Sequence, residues 1–244
     1  MRSRWFCKYK LAHRGLHNEI FPENSLGAFE NACTYGFAIE LDVRLTSDGT
    51  PIVLHDPNTL RMCGVDKNIR EVSVDELSDY RLNKTKYSIP TLHEVLDLVN
   101  GKVPIMIEIK PASKKDKVEE KVYNVIKDYK GDIAVKSFNP LSMIWFKKHA
   151  PKVLRGMLSS YFSEVEDLPY LYKQIIKKLT LFKLVKPDFI SYDHNDLPNK
   201  YVSKRNVPVL AWTIVSKDIE NQVMKLANNV IFEGYIPDSP INYE

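Results

Sequence analysis

The histidines, carboxylates and basic residues of this chain fall into short blocks whose spacing bears on chemistry: His13-Arg14, Glu40 with Asp42, His55-Asp56, and Glu108 with Lys110. Glu40 and Asp42 are two apart within the alternating run Ile39 to Arg44. Extended backbone there sends both carboxylates to one face, with Cα atoms roughly 6–7 Å apart. Glu108 and Lys110 repeat that spacing. The interior face of a sheet is normally apolar, and loading it with carboxylates is destabilising unless something cationic sits among them. A divalent ion does this best, and the all-oxygen set Glu40, Asp42 and Glu108, with no cysteine, suits Mg²⁺ or Ca²⁺ better than Zn²⁺. His13 and His55 add two proton carriers, and Arg14 and Lys110 add two cations. Metal, Arg and Lys together make an anion-binding set, and phosphate is the anion such sets commonly hold.

Elements that position these blocks follow from periodicity. Extended runs are expected at Lys10 to His13, Ile39 to Arg44, Pro51 to His55, Pro104 to Ile109, Ile133 to Ser137, Val153 to Leu158, Phe189 to Tyr192, Val209 to Thr213 and Val230 to Phe232. Helices are expected over Pro22 to Gly36, capped by Asn24 or Ser25, and over Thr91 to Val99, where Thr91 and Glu94 form a capping box. Further helices are expected around Val118 to Tyr129, Pro140 to His149, Pro169 to Leu184 and Asp218 to Ala227. Alternation of this kind gives a mostly parallel sheet with helices outside it. The length of 244 residues matches one somewhat irregular α/β TIM (β/α)8 barrel, a single domain over residues 1–244. Nine strand candidates compete for the eight places, so one stands outside the ring. Residues 44–50 are too few for a crossover helix, which puts the irregularity there. Residues 56–90, mostly polar and without a clear strand, read as a small insertion after the third strand. In a barrel, the blocks then lie at the carboxyl ends of strands, where such folds carry their active sites.

Composition excludes several classes. With 44% hydrophobic and 27% charged residues the chain is neither disordered nor fibrous. A net charge of +4 is too small for nucleic-acid binding and suits an anionic substrate. Cys7, Cys33 and Cys63 form no metal or disulfide pattern and read as free thiols. No transmembrane segment and no signal peptide is found, and a cytoplasmic location is expected. A basic stretch, Lys173, Lys177, Lys178, Lys183 and Lys186 interleaved with Ile175, Ile176, Leu179 and Phe182, is a solvated helix face or a peripheral contact with anionic lipid. The oligomeric state is not readable.

Ala12-His13-Arg14-Gly15, Pro22-Glu23-Asn24-Ser25, Glu40-Leu41-Asp42-Val43, Leu54-His55-Asp56 and Glu108-Ile109-Lys110, in that order and spacing, resemble the glycerophosphodiester phosphodiesterase family, and Ala211-Trp212-Thr213 is similar to its late tryptophan motif. The resemblance runs from Leu11 to Pro240. It implies a TIM barrel with a small insertion after the second histidine. It also implies metal-dependent hydrolysis of glycerophosphodiesters to sn-glycerol 3-phosphate and an alcohol. Under that resemblance Glu40, Asp42 and Glu108 hold the ion, Arg14 and Lys110 bind phosphate, and His13 and His55 form an acid–base pair whose individual roles stay open. Either water or the glycerol 2-hydroxyl is the nucleophile. Phe138 and Trp212 line the substrate pocket or belong to the core. The segment Phe232 to Asp238, with its acidic Glu233, departs from the family's shorter motif and bears on substrate detail. Competing readings are a related barrel phosphodiesterase acting on lysophospholipids, lysophospholipase D-like, and a noncatalytic metal or phosphate sensor.

Overall fold

The computed structural model describes residues 4–111, 116–162 and 169–241. Its strands are β1 (Leu11–Ala12), β2 (Ala38–Leu45), β3 (Pro51–Val53), β4 (Ile105–Ile109), β5 (Ile133–Ser137), β6 (Leu154–Ser159), β7 (Phe189–Asp193), β8 (Val209–Ile214) and β9 (Asn229–Phe232). The helices are α1 (Trp5–Lys8), α2 (Leu26–Tyr35), α3 (Leu60–Cys63), α4 (Val74–Leu77), α5 (Leu92–Val99), α6 (Val118–Ile126), α7 (Pro140–His149), α8 (Tyr170–Lys177), α9 (Phe182–Val185) and α10 (Lys217–Val223). The sheet runs β1-β9-β8-β7-β6-β5-β4-β2-β3, and β1 also pairs with β2. Eight parallel strands therefore close a ring surrounded by helices, a TIM barrel, and β3 stands outside it. β3 is antiparallel to β2, with Val43 opposite Val53 and Leu45 opposite Pro51. The short connection after Leu45 forces this reversal, because the five residues 46–50 turn a hairpin but cannot hold a crossover helix.

By its contacts the chain falls into two compact units, residues 11–133 and residues 1–10 with 134–244. In the first unit, Ser25 caps α2 by accepting from the Ala28 N–H, and the left-handed Gly36 ends it. Thr91 and Glu94 form the expected capping box on α5. β2 is buried along nearly its whole length, as a strand covered on both faces must be. The insertion has its own apolar centre, in which Met62, Ile69, Val72, Leu77 and Leu82 pack with Ile52 and Leu54 of the β3 region. That cluster explains how a mostly polar segment without strands holds one conformation: each short turn contributes one buried apolar anchor.

In the second unit, α1 buries Trp5 and Phe6, and the Phe6 ring lies 4.8 Å from that of Phe189. Asn229 donates to the carbonyls of Phe6 and Tyr9, and Lys10 forms a buried ion pair with Glu220. The helix expected over Pro169 to Leu184 is two helices. The backbone breaks between Lys177 and Phe182, where Leu179 adopts φ +52°. Ile176 and Leu179 are 2% and 0% exposed, so these apolar residues of the basic stretch face the core. Around the family-divergent segment, Lys217 pairs with Asp238 at 2.6 Å and the Tyr235 hydroxyl donates to Glu220. Cys7, Cys33 and Cys63 are unoxidised thiols and half-buried. No helix among the described residues is long and apolar enough to cross a membrane.

Candidate active site

Parallel pairing of β2 with β4 sets Asp42 directly beside Glu108, with Glu40 one rung below on the face of Asp42. All three carboxylates are buried, at 0%, 1% and 6% exposure for Glu40, Asp42 and Glu108. One oxygen of each lies within 4.8 Å of the others. Lys110 follows on the same face of its strand, and its Nζ reaches Glu108 Oε1 at 2.6 Å and Asp42 Oδ1 at 3.2 Å. Burial acts to lower the Lys110 pKa, but Glu108 and Asp42 outweigh it and hold the ammonium protonated.

Arg14 enters through a backbone turn that only a special conformation permits. Arg14 and Gly15 both have positive φ, +56° and +82°, immediately after β1. A side chain at Gly15 would approach Ala28 and Phe29 to 2.9 Å, so the turn closes tightly against α2. This bend points the Arg14 N–H at Glu40 Oε2 and the Gly15 N–H at the Glu40 carbonyl, both at 3.2 Å. The Arg14 Nε then lies 3.4 Å from Asp42 Oδ2. Asn24, also left-handed and 1% exposed, donates from Nδ2 to the same Asp42 oxygen at 3.0 Å. Burial would raise the Asp42 pKa; Lys110, His55, Arg14 and His13 overcome it and hold the carboxyl well below the usual carboxylate range. Asp42 is thus ionised, and both expected histidines are near enough to contribute.

His13 directly follows β1 and is half-buried. His55 follows β3, and its Nδ1 lies 2.7 Å from Asp56 Oδ1. Asp56 Oδ2 accepts from Arg61 Nε at 2.6 Å, and Arg61 forks onto both oxygens of Glu23 at 2.8 Å. Glu23 Oε1 in turn accepts from Arg14 NH1 at 2.7 Å. A continuous chain of charge-assisted bonds therefore ties the imidazole to the guanidinium of Arg14. Burial, and next the positive charge of Lys110, push the His55 pKa below its ordinary value, so at neutral pH the ring is uncharged. Burial raises the Asp56 pKa, but Arg61 and His55 bring it down overall, so Asp56 is ionised.

Glu40, Asp42, Glu108, Lys110, Arg14, His13 and His55 all belong to the unit spanning residues 11–133, where the structure brings them together. Phe138 and Trp212 belong to the other unit. There they pack on one another at 5.8 Å, with Phe162 5.3 Å from Phe138, and Trp212 Nε1 has no hydrogen-bond partner among the described residues. Glu23, Asn24, Asp56 and Arg61 were not expected at the site. The first three sit inside the family-like blocks, which was the available signal; Arg61 comes from the insertion and had none.

A closed (β/α)8 barrel whose strand ends carry buried carboxylates beside Arg and Lys belongs to the class of barrel proteins built for phosphate chemistry. The model of the glycerophosphoryl diester phosphodiesterase family matches residues 13–242, and the chain belongs to that family of phosphodiester-cleaving enzymes. A glycerophosphodiester phosphodiesterase of Caldanaerobacter subterraneus is 34% identical over 159 residues, covering 61% of this chain and 65% of that protein. Rat lysophospholipase D GDPD1 is 32% identical over 142 residues, covering 53% of this chain and 44% of its own. Among solved structures, an Oleispira antarctica phosphodiesterase in complex with the product sn-glycerol-3-phosphate is similar in fold, with a TM-score of 0.78 at 22% identity over 92% of both chains.

Proposed function

We propose that the chain hydrolyses glycerophosphodiesters to sn-glycerol 3-phosphate and an alcohol, with a divalent cation bound by Glu40, Asp42 and Glu108. The observation that carries this reading is the buried cluster of three carboxylates within 4.8 Å of one another, flanked by Lys110 and Arg14. Its donors are all oxygen, which fits Mg²⁺ or Ca²⁺. When bound, the ion supplies positive charge to a non-bridging phosphate oxygen as the transition state forms.

Arg14 offers a guanidinium whose orientation Glu23 holds, and Lys110 a fixed ammonium; both favour a phosphate that gains charge in the transition state. With Asp56 ionised, the proton of neutral His55 sits on Nδ1 and is donated to Asp56, leaving the lone pair on Nε2. His55 is then the base, taking a proton from the nucleophile, water or the glycerol 2-hydroxyl, while a new O–P bond forms. His13 is the acid, giving its proton to the alkoxide as the P–O bond to the leaving alcohol breaks. A cyclic phosphate seen by phosphorus NMR during turnover would identify the 2-hydroxyl route.

A panel of glycerophosphodiesters with sn-glycerol 3-phosphate readout, run with Mg²⁺, Ca²⁺ and chelator, tests the reading. Metal-dependent release supports it, and no release from any diester refutes it. An arm with lysophosphatidylcholine distinguishes the lysophospholipase D activity named for the rat relative; faster turnover there than with glycerophosphocholine would favour that activity.

A further inference from the structure

Above the carboxylate rung the same strands carry cations. Arg44 follows Asp42 by two residues on β2, and Lys110 follows Glu108 by two, one residue beyond β4. Because Asp42 pairs with Glu108, Arg44 and Lys110 come side by side one rung nearer the carboxyl ends. They line a cavity of about 170 Å³ that Pro57, Asn68, Ile69 and Arg70 of the insertion complete together with Asp116 and Val118. This is room for several waters, or for a small organic alcohol. Lys110 thus joins the two places: its Nζ touches the carboxylates, and the residue is part of the cavity lining.

The chemistry of the walls is asymmetric. Arg70 and Asp116 form a bidentate ion pair that cancels their charges. Arg44 donates Nε to the His55 carbonyl at 2.8 Å, and among the described residues no carboxylate lies in ion-pair range of its guanidinium. Asn68 brings an amide, while Ile69 and Val118 supply apolar surface. Among the described residues no aromatic ring lines the cavity, and the one carboxylate there, Asp116, is taken by Arg70. A quaternary ammonium needs a ring face or a free carboxylate, and here it would meet the guanidinium of Arg44 instead. Acceptor oxygens would meet guanidinium and amide donors over an apolar floor.

Building on the hydrolysis proposed above, we propose that this cavity is the subsite for the leaving alcohol and that it selects alcohols rich in acceptor oxygens over choline. Glycerol and inositol have this chemistry, and Arg44 is the residue that reads it.

Comparing kcat/KM for glycerophosphoglycerol, glycerophosphoinositol and glycerophosphocholine tests the subsite in wild type, Arg44→Gln and Arg44→Lys, with thermal melting to verify folding. The wild type is expected to favour the polyol esters over the choline ester by tenfold or more. Arg44→Gln is expected to lower that ratio by about tenfold, the scale of one lost charged hydrogen bond. Arg44→Lys should restore part of it. A wild type that turns over the choline ester equally well, or an Arg44→Gln variant that slows all three alike with the ratio unchanged, overturns the subsite while leaving the hydrolysis standing. The second outcome would mean that Arg44 acts only through His55. Release of sn-glycerol 3-phosphate from none of the three would overturn the hydrolysis, and the subsite with it.

Discussion

Replacing Asp56 with Asn tests whether the chain of bonds behind His55 sets its role. Asp56 Oδ1 is 2.7 Å from His55 Nδ1, and the interaction acts to raise the imidazole pKa against burial and Lys110. An amide keeps the shape but removes the charge, and it can present N–H where Nδ1–H needs an acceptor. A hydrogen bond to a charged partner contributes about 1.5–3 kcal/mol. Lost in the transition state alone, that is a fall in kcat of roughly 10- to 100-fold, at 1.36 kcal/mol per decade. Because the carboxylate favours the protonated ring, its loss lowers the His55 pKa further. The acid limb of the kcat/KM profile against pH should therefore move to lower pH while the maximum falls. Steady-state release of sn-glycerol 3-phosphate between pH 4.5 and 9, with melting to verify the fold, supplies both readouts. A variant within twofold of wild type, or one that loses rate with no movement of the acid limb, would refute the argument that Asp56 tunes His55.

Removal of divalent ions should abolish turnover and leave the circular dichroism spectrum unchanged, with Mg²⁺ or Ca²⁺ binding in a 1:1 ratio by calorimetry; binding that survives Glu40→Gln with Asp42→Asn would place the ion elsewhere. Lys110→Met should cost 10²- to 10³-fold in kcat, the usual loss when one preorganised electrostatic donor is removed, as read by the same assay. In the insertion, Leu82→Ala should destabilise by about 2–5 kcal/mol in urea unfolding, because Leu82 is 0% exposed within that cluster; a change under 1 kcal/mol would mean the cluster collapses around the gap. Asp42 has its folded pKa depressed, so its contribution to stability is fully present above its unfolded value near ~3.9 and is lost as pH falls below it. Melting temperature from pH 7 to 2.5 should decline below about pH 4, and less steeply in Asp42→Asn.

The core of the site was legible because its residues sit on strands. Spacing by two puts Glu40 with Asp42, and Glu108 with Lys110, on common faces, and parallel pairing makes neighbours of the two sets. The outlying strand was legible too, since residues 44–50 leave no room for a crossover and β3 is antiparallel as that shortage requires. Long-range partners were not. Arg61 reaches Glu23 from 38 positions away, across a segment whose periodicity is broken by short turns. Nothing local announces such a contact, because it depends on how the insertion packs through Leu77, Leu82 and Ile69. α1 escaped notice because four residues are too few to show a period, and the break at Leu179 did because Ile176, Leu179 and Phe182 continue a helical spacing across it. The special turn at Arg14 was visible only as Gly15; that Arg14 itself is left-handed follows from its contacts with Glu40.

The ammonium of Lys110, lodged between Asp42 and Glu108, also bears on how the molecule is made. Carboxylates buried together would repel one another and resist collapse of the newly synthesised chain. An internal counterion, joined by Arg14 from the turn after β1, offsets that repulsion in the folded chain. Folding then need not wait for the cation proposed above, unlike that of small domains that stay unstructured until their ion arrives. A chain made in metal-poor medium is therefore expected to fold, with the proposed cation supplied afterwards.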